Sequence, residues 1–291
     1  MAVAPETAAL PGRTPAAGRH AAVVFSDDRQ WAEHLCGFVR SGLDHGEQVR
    51  YFADTTEPER VLRTLTDAGI DAAAAVTRGQ LCVSIAVQTY LAGAAFDPDA
   101  MIGLWHDAVE AASARGHRGL RAIGEMSWGG RDVAGADRLL EYELRVHHEV
   151  FERRPLTAWC FYDRRLLPDA CVDLLAGAHP AHRGEPVAEP TLHVAPLADG
   201  PGFLMSGSAG YDTRIAVAAV AAAVRGASAQ RMELDLTALR HLDAASLAVL
   251  ADAAAERPGG GALRVRRPPP SLRRLLELFP ALDSAVEVVT R

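Results

Sequence analysis

The chain contains no lysine and no asparagine, although it is 291 residues long. All 30 of its basic residues are therefore arginine. A phosphate-binding P-loop needs a lysine at the β- and γ-phosphates, and Schiff-base chemistry needs a lysine amine. The residue inventory alone excludes both kinds of site.

Cysteines are few and widely spaced. No two of them form a C-x-x-C pair, the spacing that zinc and redox sites commonly use. We expect buried thiols in a reducing cytoplasm, with no disulfide framework. The four cysteines are Cys36, Cys82, Cys160 and Cys171.

Long apolar runs and an excess of positive charge are also missing. No apolar run approaches about 18 residues, so we predict a cytoplasmic protein without a membrane span. Residues 1–18 lack the apolar core of a signal peptide and are predicted to be a disordered tail. The net charge of −7 argues against a general nucleic-acid binder. The arginine cluster around residues 264–274 contains no interleaved aromatic residues, which favours a protein-facing or solvated surface over nucleic-acid binding.

Apolar strand patterns alternate with amphipathic helix patterns in the first part of the chain. This alternation predicts right-handed crossovers and a mainly parallel sheet, which is the α/β class. Strands are predicted at residues 21–28, 48–54, 80–86, 119–126 and 156–163. Helices are predicted at residues 28–44, 56–69, 97–116, 132–154 and 167–177. The composition then becomes rich in proline, glycine and alanine, and residues 181–190 are predicted to be a linker.

A second, smaller α/β unit is predicted from residue 191 onward, and its clearest stretch is residues 232–256. Alternate apolar residues predict one strand with a buried face, formed around Met232, Leu234, Leu236 and Leu239. Asp243 then suits the N-cap of a helix, because its carboxylate can accept bonds from the first free amides. Such a helix start also suits anions. The turn is thus either a chemical site or a docking surface.

The segments GSAGYD, LDLTALRHLDAASLAVL and PSLRRLLELFPAL occur in this order in the second unit. On these motifs, residues 191–291 resemble a STAS domain, the fold of anti-sigma factor antagonists. The resemblance implies a protein partner, either an anti-sigma factor or a histidine-kinase-like ATPase. It also implies a partner-docking surface, which would include Asp212, Asp243, Ala244, Ser246 and Leu247.

The phosphoacceptor position departs from the family pattern. In signalling members of the family, the serine directly after the aspartate is phosphorylated, and Ala244 stands there without a hydroxyl. Ser246 lies two positions further on, where a helix N-terminus would still favour a phosphate. We therefore weigh phosphorylation of Ser246 against a packing role at the helix start, and we favour packing.

Four segments carry a second resemblance: RHAAVVFSDD, SGLDHGEQVRYFAD, GLRAIGEMSW and WCFYD with a later HP. They make residues 19–180 similar to the MEDS domain, a sensory module of bacterial regulators. The resemblance implies a three-layer, RecA-like α/β core. The segment FSDDRQW follows the first strand with no glycine, no lysine and two carboxylates that would repel phosphate. We therefore predict that nucleotide chemistry has been lost and that no cofactor is bound.

Polar residues at the carboxyl ends of the strands form the predicted ligand-binding site, because open α/β sheets bind ligands there. The alternative is that they only cap helices and satisfy loop backbone. His20 precedes its strand, so we expect it at the opposite edge of the sheet. The predicted residues are His20, Asp27, Glu125, Trp128, Tyr162, Asp163 and His179.

One pair of metal-ligating residue types shares a helix face. Glu143 and His147 are four residues apart and could in principle hold a metal ion. No third ligand is visible nearby in the sequence, so no metal site is predicted.

These patterns predict a non-catalytic signalling and transcription regulator. Its first domain would sense a small ligand or a partner and thereby control docking by the STAS-like domain. One alternative is an enzyme with a degenerate nucleotide-binding fold that uses Glu125 and Asp163. Another is a constitutive scaffold in which Ala244 mimics a permanently unphosphorylated state.

Overall fold

The computed structural model describes residues 19–257, 263–280 and 286–289. The tail predicted at residues 1–18 lies outside these described residues. Both units are α/β, as predicted. Within the described ranges, none of the helices combines the length and apolar character that crossing a membrane requires.

The first unit contains a six-stranded sheet whose strands are all parallel, in the order β3-β2-β4-β5-β1-β6. Its strands are β1 (His20–Phe25), β2 (Gln48–Ala53), β3 (Leu81–Ile85), β4 (Leu120–Glu125), β5 (Leu156–Asp163) and β6 (Ala181–Gly184). The central strands are apolar on both faces, as strands covered by helices on both sides must be. The five strands predicted for this unit are therefore β1 to β5.

Helices cover both faces of this sheet, so the unit has three layers. They are α1 (Asp28–Asp44), α2 (Pro58–Asp67), α3 (Ala72–Thr77), α4 (Pro98–Ala114), α5 (Leu139–Val146) and α6 (Asp169–Gly177). Val23 of β1 packs in a core with α1 and α2, whereas its neighbours Ala22 and Val24 pack in a core with α4 and α5. This division follows from the alternation of side chains along a strand.

The helix predicted over residues 132–154 is shorter in the structure. Gly135 has a φ of 80°, a left-handed conformation that stops a regular helix before α5 begins. A 3₁₀ turn at Ala136–Arg138 leads into α5, and a π-helical turn at His147–Phe151 follows it. Such π-helical turns occur often at functional sites.

The second unit has a mixed sheet in the order β10-β8-β9-β11-β12, and β7 pairs antiparallel with β8. Its strands are β7 (Leu192–Pro196), β8 (Gly202–Ala209), β9 (Met232–Asp235), β10 (Leu239–Leu242), β11 (Leu263–Arg266) and β12 (Val286–Val289). Its helices are α7 (Arg214–Gly226), α8 (Ala244–Ala255) and α9 (Pro270–Leu278).

Two local predictions differ from the structure. Residues 181–184, expected within a linker, form β6 and pair with the outer edge of β1. The single strand expected around residues 232–239 is two strands, because the chain turns where the Leu239 amide bonds the Leu236 carbonyl at 3.0 Å. As a result, β9 pairs with the start of β8 and β10 with its end.

The two units are joined by a continuous hydrophobic core as well as by the chain. Helix α5 of the first unit packs against α7 of the second, and α6 packs against β7. Polar contacts cross the same boundary: His148 contacts the Gly202 carbonyl at 3.1 Å, and His193 contacts the Gly177 carbonyl at 2.9 Å. The first unit is therefore packed directly against the second.

A substitution at Gly184 can test whether β6 is an integral strand of the sheet. Gly184 has a φ of 78°, and an added Cβ would collide with the Val24 carbonyl oxygen on β1. We expect Gly184→Ala to lower the free energy of unfolding by about 1–3 kcal/mol, measured by urea denaturation. Gly103→Ala is the matched control, because Gly103 is exposed on α4 with nothing within 4 Å of an added Cβ. It should be neutral or stabilising by up to about 1 kcal/mol, and equal effects of the two changes would contradict the assignment.

Candidate functional site

A cleft of about 390 Å³ opens at the carboxyl ends of the central strands of the first sheet. This is the edge where parallel α/β sheets commonly bind ligands, and the volume suits a small organic molecule. Its lining combines aromatic, hydroxyl and charged side chains of both signs. The residues are Phe25, Asp28, Trp31, Thr55, Thr56, Arg60, Glu125, Ser127, Phe161, Asp163, Arg165 and Leu166.

Glu125 holds the loop that forms one wall of this cleft. Its Oε2 accepts the backbone N–H groups of Asp54, Thr55 and Thr56 at 2.7, 2.8 and 3.1 Å. Its Oε1 accepts the Tyr51 hydroxyl at 2.5 Å. Burial and the adjacent carboxylate raise the pKa of Tyr51 well above its usual value. Both oxygens of Glu125 are thus engaged in holding the loop.

Asp163 and Asp28 are bound by arginines at the opposite wall. The Arg165 guanidinium binds Asp163 with its Nη2 at 2.7 Å and Asp28 with its Nη1 at 2.8 Å. Arg60 contacts the other oxygen of Asp28 at 2.7 Å. Hydrogen bonds from Arg165 and Arg60 lower the pKa of Asp28. The wall is a network of alternating charges that a charged ligand would have to rearrange.

Two other predicted residues have different surroundings. Asp27 caps α1, with its Oδ1 accepting the Gln30 amide at 2.7 Å. Trp128 is fully buried and donates its indole N–H to the Tyr90 hydroxyl at 3.1 Å. It lines a separate aromatic cavity of about 20 Å³ between the sheet and α4, which has room for roughly one water-sized group.

The remaining predicted residues meet in a buried polar cluster around Glu143 of α5. His20 Nε2 lies 3.1 Å from Glu143 Oε2, and His179 Nε2 lies 3.3 Å from the same oxygen. Tyr162 donates its hydroxyl to Glu143 Oε1 at 3.1 Å. The Cys160 sulfur lies 3.8 Å from Oε2. Each of the five residues is buried, so this cluster is closed to bulk solvent.

Burial sets the protonation of the cluster. Burial and the neighbouring His179 lower the pKa of His20 to about 4, so the imidazole is neutral at neutral pH. Burial and the Glu143 carboxylate raise the pKa of the Cys160 thiol well above its usual value. Burial alone would raise the pKa of Glu143, but its bonds with His179 and His20 outweigh that effect and lower it.

His147 belongs to another group, although it shares a helix with Glu143. It lies with His148 and Glu152, and the His148 Nδ1 contacts a Glu152 oxygen at 3.1 Å. Burial and the neighbouring His20 lower the pKa of His147 to about 3. The Glu143–His147 pair considered from spacing is thus divided between two clusters.

In the second unit, the N-termini of α7 and α8 are tied together by Arg214. Its guanidinium binds the Asp243 carboxylate at 3.0 and 2.7 Å and the Ser246 hydroxyl at 3.0 Å. Asp243 caps α8 by accepting the Ser246 amide at 2.7 Å. Burial opposes ionisation of Asp243, but the Arg214 and Ser246 bonds outweigh it and lower the pKa.

The five residues predicted to form the docking surface differ in their solvent exposure. Ala244 and Asp212 are exposed, and Asp243 is half-buried. Ser246 and Leu247 are buried, so the Ser246 hydroxyl is directed into the protein against Arg214. This burial argues for the packing role of Ser246 and against its phosphorylation.

Comparison with known families agrees with this architecture. Residues 19–180 match the family described as the MEthanogen/methylotroph, DcmR Sensory domain, abbreviated MEDS. Residues 205–283 match the family described as Mlab, STAS domain. The chain belongs to the MEDS family. It carries a MEDS domain followed by a STAS domain, and no curated protein matches it.

The structure brings the predicted MEDS residues together in two places. Glu125 and Asp163 lie at the cleft, whereas His20, Tyr162 and His179 lie in the buried cluster. The cluster also contains Glu143 and Cys160, which no motif in the sequence connects with the other three residues. Strand alternation gave a signal, because His20 on β1 faces the same side of the sheet as Cys160 and Tyr162 on β5.

Glu125 offers a direct test of a structural against a chemical role. Glu125→Ala removes the acceptor of three loop amides and of the Tyr51 hydroxyl. We expect a loss of about 2–4 kcal/mol in the free energy of unfolding, together with faster hydrogen exchange at residues 54–56. Glu57→Ala is the control, because Glu57 is exposed beside the same loop and makes no capping bond. Unchanged exchange in Glu125→Ala would show that the loop does not depend on this carboxylate.

Proposed function

We propose that the protein is a cytoplasmic signalling and transcription regulator in which the MEDS domain senses a small molecule and controls partner docking by the STAS domain. The partner would be an anti-sigma factor or a histidine-kinase-like ATPase. The observation that carries this proposal is the position of α7. This helix begins at the Arg214–Asp243 pair and packs along its side against α5 of the MEDS domain.

The cleft at the carboxyl ends of the strands supports a sensory role. Its volume of about 390 Å³ lies within the range of small-molecule sites. Arg60 and Arg165 supply positive charge, and Thr55, Thr56 and Ser127 supply hydrogen-bonding groups. A polar or anionic ligand that displaced Asp28 from the two arginines would shift the ends of β5 and α1 together.

Close packing would carry such a shift to the STAS domain. The backbone at Gly226, the last residue of α7, approaches the Arg145 guanidinium of α5, and an added Cβ would lie 2.6 Å from its Nη1. Packed helices move as rigid bodies because interiors tolerate little deformation. A displacement of α5 would therefore move α7 and with it the Arg214–Asp243 pair.

The surface near that pair suits a protein partner. Tyr211 and Ile215 expose 85% and 73% of their area at the start of α7, which is unusual for large apolar side chains. Ala244 and Ala245 are exposed at the start of α8. Apolar side chains beside a polar pair are typical of a protein-docking surface.

This surface has no accessible hydroxyl at the expected phosphoacceptor position. Ala244 cannot be phosphorylated, and Ser246 is buried against Arg214. A ligand-dependent change in the MEDS domain would replace phosphorylation as the control of docking. The constitutive-scaffold alternative differs only in lacking that dependence.

The enzymatic alternative is weaker, because the oxygens of Glu125 and Asp163 already bind loop amides and Arg165. Mg-ATP and a panel of small metabolites can be compared by thermal shift and turnover assays on the full chain. A saturable metabolite shift without turnover supports the sensory proposal. Saturable Mg-ATP binding with hydrolysis would favour the enzyme.

Ala244→Glu tests the docking surface. A carboxylate at a helix N-terminus is favoured by about 0.3–1 kcal/mol, so the fold should remain intact while the charge blocks docking. We expect affinity capture from the native cytoplasm to lose an anti-sigma factor or kinase-like partner that the wild type retains. Ala198→Glu, on an exposed turn between β7 and β8, is the matched control and should retain it. Equal capture of that partner by both variants would place docking elsewhere.

A further inference from the structure

Four buried side chains from distant parts of the chain converge in the MEDS domain. His20 lies on β1, Glu143 on α5 and Cys160 on β5, and His179 follows α6. Their potential ligand atoms all lie within 4.8 Å of one another. Nitrogen, sulfur and carboxylate oxygen are the donors that Zn²⁺ and related transition metals prefer.

Four of the six separations between these ligand atoms can be compared with the edges of a coordination tetrahedron. With bonds of usual length to zinc, neighbouring ligand atoms should lie about 3.3–3.6 Å apart. Glu143 Oε2 lies 3.1 Å from His20 Nε2, 3.3 Å from His179 Nε2 and 3.8 Å from Cys160 Sγ. The Cys160 sulfur lies 4.0 Å from His20 Nε2. These four separations lie within a few tenths of an ångström of those edges, and the other two do not exceed 4.8 Å, so small side-chain movements would bring the four atoms around one ion.

The surroundings of His179 leave one of its ring nitrogens available to a metal ion. Its Nδ1 contacts the Leu175 carbonyl at 2.9 Å, so Nδ1 carries a proton and Nε2 is the nitrogen left to act as a ligand. Nε2 therefore faces the Glu143 carboxylate at 3.3 Å, without a hydrogen bond of good geometry. Two buried acceptors in contact repel each other unless a proton or a metal ion lies between them, and Nε2 is the nitrogen placed to bind either one.

We propose that His20, Glu143, Cys160 and His179 form a closed, tetrahedral site for Zn²⁺ or a similar transition-metal ion. The charges balance, because one thiolate and one carboxylate neutralise a divalent ion bound by two neutral imidazoles. A neutral complex is the form that such a fully buried position tolerates. Binding releases the thiol proton of Cys160 to solvent.

Neighbouring groups already orient two of these ligands. The Tyr162 hydroxyl holds Glu143 Oε1, which leaves Oε2 for the ion, and the Leu175 carbonyl fixes the His179 ring. Hydrogen bonds of this kind fix and tune the ligands of metal sites. With four protein ligands, the site is of the structural type and would fasten α5 to the sheet beside the STAS domain.

The first experiment measures metal in the full-length protein. Protein produced in zinc-supplemented medium should contain about one zinc ion per chain and should lose thermal stability on treatment with a chelator. After replacement with Co²⁺, absorption should show a thiolate-to-metal charge-transfer band and the visible bands of tetrahedral cobalt. The proposal is wrong if the protein contains no zinc and if neither added zinc nor the chelator changes its thermal stability.

Substitutions then locate the ion. Cys160→Ser should abolish the charge-transfer band, whereas Cys171→Ser, a matched change outside the cluster, should keep it. Tyr162→Phe keeps all four ligands and should weaken zinc affinity by about 10–100-fold. His148→Gln should leave the metal content unchanged, since His148 belongs to the separate group with His147 and Glu152. If the band survives in Cys160→Ser or the metal is lost in His148→Gln, the ion is bound elsewhere and the assignment is wrong.

Discussion

Helix α5 is buried along its whole length, and the rest of the structure depends on that constraint. All eight residues from Leu139 to Val146 are buried between the MEDS sheet and the STAS domain, yet three of them carry charge: Glu141, Glu143 and Arg145. A buried charge is tolerated only when it is paired and hydrogen-bonded. The Arg145 guanidinium accordingly binds Glu141, Glu149 and Asp99 at 3.1, 2.8 and 2.6 Å. Glu143 points to the other side, where the histidines and Tyr162 surround it.

These two charged sides give α5 a fixed register against both domains. Removing one partner of a buried ion pair costs about 3–5 kcal/mol, and this cost adds to the resistance of the close-packed apolar contacts. Small ligand-dependent changes in the MEDS domain would therefore move α5 as a unit, and α7 would follow because it packs directly on it. The backbone of Gly226 lies close to the Arg145 guanidinium. A larger residue at position 226 would therefore displace the guanidinium from its acceptors.

The sequence predicts the fold wherever a local pattern decides the structure. Strands β1 and β5 are buried on both faces and therefore read as apolar runs, and Asp27 and Asp243 stand where helix caps belong. Strand β6 has the short, polar sequence AHRG and forms only because β1 offers it a free edge, which no local pattern reveals. The same distinction applies to the candidate sites. The end of a predicted strand gives the position of Glu125, but only tertiary contacts show that both of its carboxylate oxygens accept hydrogen bonds. The cluster around Glu143 joins residues up to 159 positions apart, from His20 to His179, and each alone resembles an ordinary core residue.

The two functional proposals put regulation in different parts of one domain. A ligand in the cleft would act on loops at the carboxyl edge of the sheet, whereas a metal ion at Glu143 would fix the helix that contacts the STAS domain. A fully buried site with four protein ligands is of the structural type and would hold its ion stably. An open cleft is suited to reversible binding of a small molecule. The alanine at position 244 of the STAS domain is consistent with regulation from the MEDS domain. Under the proposed function, a STAS surface without a phosphoacceptor would take its reversible input from the MEDS domain, and α5 would have to transmit that motion without deforming. The buried charges of α5, together with the ion proposed at Glu143, would provide that stiffness.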